Sequence, residues 1–223
     1  MSFVSNVEQI RTRARLKIEE GALTRDYELN PEEAVSILNE ALATELVCVL
    51  RYRFHYFMAS GIHSAAVAEE FLQHANEEQG HADRIAERIK QLNGKPEMNP
   101  SIITKLSHTE YKEGNSLVEM LQEDLVAERI AIESYREMIR FFAEKDPTTR
   151  RMLEDILAVE EEHADELADM LFAIDKKDNA RKLYGKDEVP GKLPMVAGVT
   201  NNANEKNGKK KKTKDKIRKG GVG

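Results

Sequence analysis

The sequence predicts an all-α protein, and three observations point to a four-helix bundle. Four long stretches carry apolar residues at helical spacing, residues typical of helix ends separate them, and Val and Ile nowhere alternate with polar residues over a useful run. A chain of 223 residues, 40% of them hydrophobic and 33% charged, is long enough for one helical domain with extensions. We expect an N-terminal extension with a short helix over 1–29, the bundle over 30–177, and a disordered, Lys-rich tail over 178–223.

Helix-end signals set the predicted boundaries. Asn30 is a suitable N-cap before Pro31, Ser116 begins a Ser-x-x-Glu capping box, and Gly94 is expected to supply a left-handed C-cap. The connection 95–115 is long enough to cross from one end of a bundle to the other, so it would join two antiparallel helix pairs. The helices are predicted over residues 5–20, 30–60, 64–93, 116–145 and 147–177.

The four long helices form a tandem repeat of two helix pairs. When Glu45 is aligned with Glu128, Tyr52 falls on Tyr135, and the second helix of each pair carries a Glu-x-x-His motif. The equivalent residues of these motifs are Glu78 with Glu160 and His81 with His163. Two halves with matching charged positions indicate a bundle with a pseudo-two-fold axis.

Each long helix has a glutamate in the middle of its apolar stripe, where a packed bundle would bury it. An unpaired carboxylate there costs several kcal/mol, so four would remove much of a typical stability of about 5–15 kcal/mol. Two divalent cations would balance the four charges, and a carboxylate-rich donor set with one imidazole per metal favours iron or manganese over structural zinc. The alternative is a polar network that fixes helix register. The predicted metal-binding and catalytic residues are Glu45, Glu78, His81, Glu128, Glu160 and His163.

Other polar residues near the stripes show weaker patterns. Tyr52 and Tyr135 are further catalytic candidates, by a hydrogen bond to the site or by supplying an electron, and ordinary packing is the alternative. His74 is interpreted as a core histidine, with a metal transit site as the alternative. Asp124 is a candidate for orienting a ligating imidazole, and Cys48 is interpreted as a small buried apolar residue. We place the following residues at the surface or rim: His55, His63, His108, Glu77, Glu161 and Glu162.

Three segments resemble the bacterioferritin and Dps-like branch of the ferritin-like superfamily, over roughly residues 30–176. They are Leu42-Ala43-Thr44-Glu45-Leu46, His81-Ala82-Asp83-Arg84 and Glu160-Glu161-Glu162-His163-Ala164. The resemblance implies a ferritin-like bundle in a hollow homo-oligomer, with a ferroxidase centre that binds two iron ions per subunit. In that centre, Glu78 and Glu160 would bridge the two ions. The terminal ligands would be Glu45, Glu128, His81 and His163.

The chain departs from bacterioferritins just after the glutamate of the second long helix. Bacterioferritins place a haem-ligating methionine there, whereas this chain has Gln79, so we predict no haem. The predicted function is oxidation of Fe²⁺ by O₂ or H₂O₂ for iron storage, detoxification and protection from oxidative stress. A dimanganese catalase or peroxidase is the enzymatic alternative. A rubrerythrin-type electron chain is disfavoured because it needs paired cysteines and the chain has one.

The charge of the chain is unevenly distributed. Residues 205–219 hold nine basic and two acidic side chains, so they carry +7, and the net charge of −6 leaves −13 on the remainder. An acidic body would attract Fe²⁺, whereas a basic tail is suited to DNA phosphates, to an acidic protein or to solubility. A Dps-like DNA-binding protective protein is therefore a further alternative. No apolar run reaches the length of a signal peptide or a membrane span, and we expect a soluble cytoplasmic protein with no membrane partner.

Overall fold

The computed structural model describes residues 6–61 and 64–184, and the regular elements within these ranges are helices. The predicted all-α fold class is confirmed. None of the described helices is both long and apolar enough to cross a membrane. The helices are α1 (Val7–Arg13), α2 (Pro31–Met58), α3 (Ser64–Gln91), α4 (Pro100–Leu106), α5 (Leu117–Phe142) and α6 (Pro147–Tyr184), with a 3-10 turn over Ile18–Glu20.

Two helix pairs form the bundle. α2 packs along α3, α5 packs along α6, and smaller contacts of α2 with α5 and of α3 with α6 close the bundle. The connections after α2 and after α5 are short, which makes each pair antiparallel, whereas the connection from α3 to α5 is long and carries α4 against α2. This is the predicted arrangement, except that the connection 95–115 contains the helix α4, which was not predicted. The missed signal was Asn99-Pro100, since the Asn99 side chain accepts a hydrogen bond from the N–H of Ser101.

The predicted N-caps of the long helices are present. The Asn30 side chain accepts a hydrogen bond from the N–H of Glu32, and Ser116 accepts one from the N–H of Glu119. The Glu119 carboxylate in turn accepts a hydrogen bond from the N–H of Asn115. These bonds satisfy backbone donors that the first helical turn leaves free, and thereby fix where α2 and α5 begin.

The C-terminal end of α3 differs from the prediction in which residue is left-handed. Asn93, with φ 61°, takes that conformation, and the N–H of Gly94 bonds back to the carbonyl of Ile89 in a Schellman motif. Gly94 is required for a different reason, which is close packing. A Cβ there would lie 2.5 Å from a methyl carbon of Val35 on α2. The glycine therefore lets the ends of α2 and α3 approach each other.

The terminal extensions also depart from their predicted bounds. The predicted helix over 5–20 is interrupted: α1 ends at Arg13, and Lys17 has a positive φ of 50° before the 3-10 turn. α1 buries none of its residues, so little holds a longer helix together, because short helices are marginal without tertiary packing. At the other end, α6 continues past the predicted end at 177. The basic segment 205–219 lies outside the described residues.

The apolar core consists of two clusters on either side of a charged layer. The cluster nearer the start of α2 is built around Leu38, Leu42, Ile85, Ile89, Phe142, Leu153 and Ile156. The second cluster is built around Cys48, Tyr52, Val67, Phe71, Leu121 and Leu167. Cys48 is buried, as predicted. In all four helices the glutamates of the apolar stripe fall between the two clusters, so the fold holds a polar layer at mid-height.

A buried ion cluster of Arg51, His55 and Asp124 corrects the predictions made for His55 and Asp124. Asp124 accepts a hydrogen bond from Arg51 Nε at 2.8 Å and lies 2.7 Å from His55 Nδ1, and all three side chains are buried. His55 is therefore not a rim residue. Arg51 and His55 also contact the main-chain carbonyls of Glu110 and Lys112, at 3.0 and 3.1 Å. The cluster thus fastens the long connection to α2 and α5.

The other two histidines placed at the surface have different outcomes. His108 is exposed on the long connection, as predicted, and its ring nitrogens lie 2.8 Å from Ser134 Oγ and 3.1 Å from Glu40 Oε2. His63 lies outside the described residues.

Candidate metal centre

The structure brings all six predicted ligand residues together in the charged layer. α2 and α5 each contribute one glutamate, and α3 and α6 each contribute a glutamate and a histidine three residues later. Residues three apart lie on one helix face, so both members of each Glu-x-x-His motif point inward. None is more than 5% exposed. The six are Glu45 on α2, Glu78 and His81 on α3, Glu128 on α5, and Glu160 and His163 on α6.

One half of the centre is grouped around His81. Its Nδ1 atom lies 3.5 Å from Glu45 Oε2, 3.3 Å from Glu78 Oε2 and 3.0 Å from Glu160 Oε1. One ligand atom from each of these four residues lies within 4.8 Å of the others. Donor atoms around a single cation with bonds of about 2.1 Å are roughly 3 Å apart at adjacent octahedral positions, so the spacing suits one metal ion.

The other half repeats this arrangement around His163. Its Nδ1 atom lies 3.3 Å from Glu78 Oε1 and 3.5 Å from Glu160 Oε2. Glu128 joins these three residues in a second group whose ligand atoms all lie within 4.8 Å of one another. The terminal glutamates Glu45 and Glu128 therefore belong to one half each, as the tandem repeat requires.

The bridging pair, Glu78 and Glu160, belongs to both halves. Each of these carboxylates directs one oxygen to His81 and the other to His163. A carboxylate with its two oxygens on two different sites is the arrangement that bridges a pair of cations. The geometry therefore distinguishes bridging from terminal glutamates.

Several atoms of the centre that could bind a metal ion are buried and have no hydrogen-bond partner. Four of the carboxylate oxygens lie at ion-pair distances from Nδ1 of His81 or His163, but without hydrogen-bond geometry. Buried polar atoms in folded proteins are nearly always satisfied, and a cation would satisfy lone pairs of this kind. The residues therefore fit a pair of metal ions. The atoms are Glu45 Oε2, Glu78 Oε1, Glu128 Oε2, both oxygens of Glu160, and His163 Nδ1.

The electrostatics of the two histidines reflect the surrounding carboxylates. Burial alone would lower the pKa of His81, but contacts with Glu160, Glu45 and Glu78 outweigh it and raise the pKa to about 12. His163 behaves in the same way, with a pKa of about 12, because Glu160 and Glu78 oppose the effect of burial. Without metal, both imidazoles therefore hold a second proton at neutral pH.

The four carboxylates divide into two kinds. Burial, together with the like charge of Glu78, raises the pKa of Glu45 to about 8, and burial raises the pKa of Glu128 well above its usual value. Burial would also raise the pKa of Glu78 and Glu160, but close polar contacts that include those with both histidines hold their pKa values below the ordinary one. The metal-free centre thus favours the charged form of Glu78 and Glu160 and disfavours the charged form of Glu45 and Glu128.

Comparison with known proteins places the chain in a family. A family model described as a ferritin-like domain matches residues 35–176. The chain belongs to the ferritin-like family. Within it, the chain is related to the bacterioferritins and resembles Dps proteins in fold, so the predicted branch is confirmed.

Individual relatives of this ferritin-like chain cover its helical part. A bacterioferritin from Rhodobacter capsulatus is 31% identical over 145 residues, which span 65% of this chain and 86% of the relative. The solved structure of a dodecameric thioferritin from Bacteroides fragilis, a bacterioferritin-related protein, is 34% identical with a TM-score of 0.66, covering 68% of this chain and 92% of that one. Dps from Thermosynechococcus elongatus, at 20% identity and a TM-score of 0.61, covers 63% and 90% and shares the fold.

Two tyrosines of the ferritin-like chain hold the terminal glutamates. The Tyr52 hydroxyl on α2 donates to Glu128 on α5, and the Tyr135 hydroxyl on α5 donates to Glu45 on α2. Burial, together with these carboxylates, raises the pKa of both hydroxyls well above the usual value, so each remains a donor. The reciprocal pair means that Glu45 and Glu128 are each oriented by a tyrosine from the opposite half of the repeat.

Glu77 has a role that the sequence did not reveal. It lies at the rim as predicted, with a side chain that is 40% exposed, but its carboxylate is 2.8 Å from His163 Nε2. A carboxylate on the outer nitrogen fixes the ring orientation of His163, so that its Nδ1 atom would be available to a metal ion. Asp124 was predicted as a candidate for this task and does not perform it, because it bonds to Arg51 and His55.

His74 is buried, as its interpretation as a core histidine requires. Its Nε2 atom lies 3.0 Å from Glu166 Oε2 on α6, and its ring stacks on that of His163 with centroids 3.9 Å apart. Burial, with the nearby His163, lowers the pKa of His74. Glu161 and Glu162 are exposed, as predicted, and Glu161 pairs with Arg136.

Gln79 occupies the position at which bacterioferritins have a haem-ligating methionine. Its side-chain amide donates a hydrogen bond of 2.9 Å to Asp83 Oδ1 on the same helix. An amide in this position lacks the thioether sulfur that a haem iron would require of it. The expectation that the chain binds no haem stays a prediction.

Proposed function

We propose that this chain is a ferroxidase that oxidises Fe²⁺ at a dinuclear centre formed by Glu45, Glu78, His81, Glu128, Glu160 and His163. The observation that carries the proposal is the position of the bridging pair, whose four oxygens are divided equally between the two histidines. A polar network that only fixed helix register would not require both oxygens of each carboxylate to face different imidazoles. It would also not leave so many buried donor atoms unpartnered.

The donor set supports iron as the substrate. Four carboxylates and two neutral imidazoles carry a charge of −4, which two divalent cations balance without any other ion. Carboxylate oxygens with one imidazole per metal suit Fe²⁺ or Mn²⁺ better than the thiolate-rich or tetrahedral sites that zinc prefers. Each Fe²⁺ gives up one electron, so two ions reduce O₂ with two protons to H₂O₂, or reduce H₂O₂ with two protons to water.

The protein residues prepare the site for this reaction in three ways. The bridging pair brings the two substrate ions together, so that two electrons leave one centre. Tyr52 and Tyr135 orient the terminal glutamates, and Glu77 orients His163. The apolar clusters above and below the layer keep bulk water from competing for the donor atoms.

We further propose that the oxidised iron is stored inside a hollow homo-oligomer. The relative from Bacteroides fragilis is described as dodecameric. Large apolar side chains on the outer faces of α2 and α5 support subunit contacts, because a single soluble subunit rarely exposes many of them. These side chains are Leu50, Phe57, Met58 and Val126, each more than half exposed.

The test is a rapid-mixing measurement of Fe²⁺ oxidation with substitutions that remove one ligand each. Glu128→Ala and His163→Ala should abolish the fast oxidation phase, while circular dichroism and particle mass remain unchanged. Glu161→Ala, an exposed residue two positions before His163, is the matched control and should oxidise iron at the normal rate. Unchanged oxidation in the two ligand variants would refute the proposal.

Manganese is the alternative that the same donor set permits. Metal analysis of the purified protein, together with an assay of H₂O₂ disproportionation, separates the two functions. A dimanganese catalase would contain manganese and release O₂ from H₂O₂, whereas the proposed ferroxidase would contain iron and consume H₂O₂ or O₂ only with Fe²⁺.

A further inference from the structure

We propose that Glu70, His74 and Glu166 form a third divalent-cation site, directly beside the dinuclear centre. The site is built from α3 and α6 and shares no residue with the six ligands of the centre. Its binding of a cation stands independently of the ferroxidase activity. Its role as the last station for Fe²⁺ before the centre rests on the proposed function.

The three side chains converge on one nitrogen. His74 Nε2 lies 3.0 Å from Glu166 Oε2 and 3.5 Å from Glu70 Oε1. One ligand atom from each residue lies within 4.8 Å of the other two. These separations are close to the roughly 3 Å between adjacent donors around a cation with bonds of about 2.1 Å. One imidazole and two carboxylates are the same donor types that make up each half of the dinuclear centre.

The charge of the site calls for a cation. Glu70 and Glu166 are partly buried carboxylates with side chains 25% and 38% exposed, and they face each other beside an imidazole that has no exposed surface. Burial, together with the like charge of Glu166, raises the pKa of Glu70. A divalent cation between the two carboxylates would relieve this repulsion.

His74 has a buried atom that ordinary packing does not explain. Its Nδ1 atom has no hydrogen-bond partner, although the ring is completely buried. One ligand atom of His74 also forms a group with Glu128 and His163, within the same 4.8 Å limit. A histidine needed only to fill the core would be expected to satisfy both nitrogens. His74 instead lies between the outer carboxylates and the inner ligands.

The position relative to the dinuclear centre supports transfer of the cation. The His74 ring stacks on His163, and Tyr52, which holds Glu128, packs edge-on against it with centroids 5.2 Å apart. A surface groove of about 300 Å³ runs over the same region and is lined by Glu166, Glu162, Glu77 and His163. A cation that enters the acidic groove therefore meets Glu166 at the surface and His163 at the centre. His74 connects the two.

The experiment uses the full-length, assembled protein and Mn²⁺, which binds like Fe²⁺ but is not oxidised in air at neutral pH. Crystals soaked in Mn²⁺ should show three anomalous-scattering peaks per chain, one of them bonded to His74 Nε2 and to the carboxylates of Glu70 and Glu166. Equilibrium dialysis should give three ions per chain in solution. The absence of a peak at His74, or a third ion in the crystal that is absent in solution, would overturn the proposal.

Substitutions separate this site from the dinuclear centre. The double variant Glu70→Gln/Glu166→Gln keeps the size of both side chains and should bind two Mn²⁺ ions instead of three. The control is Glu69→Gln, an exposed residue on the same helix, which should bind three. Retention of three ions by the double variant would refute the third site.

The transfer role has a separate readout. Glu128→Ala should lose an ion of the centre and keep the ion at His74, so that failure of the ferroxidase proposal would not be mistaken for failure of this one. In rapid mixing at limiting Fe²⁺, the double variant should oxidise iron several-fold more slowly than the Glu69→Gln control, and with the same final yield. An unchanged rate would leave the cation site in place and refute its role in transfer.

Discussion

Glu78 lies between His81 and His163, with one carboxylate oxygen 3.3 Å from Nδ1 of each histidine. Its equivalent in the second half of the repeat, Glu160, has the same relationship to both rings at 3.0 and 3.5 Å. Two helices that are far apart in sequence therefore share their ligands across the bundle. In the proposed dinuclear centre, this sharing would make the two metal positions interdependent, whereas each terminal glutamate would belong to one position.

Removing a bridging carboxylate should therefore have a larger effect than removing a terminal one. We expect Glu78→Ala to weaken both cations, because one oxygen donor is lost from each half. Glu45→Ala should weaken mainly the ion grouped around His81. Titration calorimetry with Mn²⁺ measures both outcomes, as the loss of two binding events against the loss of one. Equal losses in the two variants would contradict the bridging assignment.

Metal binding should release protons and become tighter as the pH rises. In the metal-free centre, His81 and His163 with pKa values of about 12, and Glu45 with a pKa of about 8, hold protons at pH 7. Cations bind the deprotonated forms, so each proton displaced opposes binding more strongly at lower pH. The affinity should increase steadily from pH 6 to pH 8.

Calorimetry in buffers with different ionisation enthalpies counts the released protons. The protons held by His81, His163 and Glu45 amount to about three released when two divalent cations fill the centre. The matched control is Glu161→Ala, an exposed residue outside the groove, which should release the same number. Binding that is independent of pH over this range would show that the histidines are neutral before metal arrives.

The tyrosine that holds each terminal glutamate should affect one metal position. Tyr52→Phe removes the hydrogen bond to Glu128, and Tyr135→Phe removes the one to Glu45. Loss of such a supporting bond typically lowers metal affinity about 10–100-fold. The two variants should weaken different ions by similar factors, because the arrangement is repeated. Tyr56→Phe on the same helix is the control, and equal affinity in all four proteins would exclude an orienting role.

The buried cluster of Arg51, Asp124 and His55 should contribute to stability more than any exposed pair. Removing one partner of a buried ion pair leaves an uncompensated charge, which costs about 3–5 kcal/mol. Arg51→Met should therefore lower the thermal unfolding midpoint strongly, at a fixed protein concentration. Arg53→Met, which removes an exposed arginine two residues away, should have little effect. Similar midpoints for the two variants would show that Asp124 is satisfied without Arg51.

The basic tail should be dispensable for iron oxidation. Deletion of residues 201–223 leaves every residue of the described centre in place, so the oxidation rate should not change. If the tail binds DNA, the deletion should abolish gel retardation, and in the intact protein retardation should weaken steeply with salt, as expected when nine basic side chains neutralise phosphates. Loss of oxidation on deletion would contradict this separation of tasks.

The features that follow from local spacing could be predicted from the sequence. Glu78 and His81 are three residues apart on one helix, and the cap of α2 depends on Asn30 and the two residues after it. Such features depend on a single helix and not on how the helices pack against one another. The tandem repeat added the pairing of Glu45 with Glu128, because equivalent positions in two halves occupy equivalent places in the fold.

The features that depend on contacts between helices could not be predicted. His55 was placed at the rim because its partner Asp124 lies on α5, 69 residues away in sequence. Glu77 precedes Glu78 and lies on a different face of α3. Its contact with His163 becomes visible only when α6 is in place beside α3. At the end of α3, the sequence indicated the turn, but the need for Gly94 comes from Val35 on another helix.

The charged layer has a consequence for the mechanical unity of the subunit. It separates two apolar clusters, so the hydrophobic core of the metal-free bundle is interrupted at mid-height. Cations bound by residues of all four helices would connect the helices across this layer. We therefore expect metal-loaded subunits to unfold at a higher temperature than metal-free subunits.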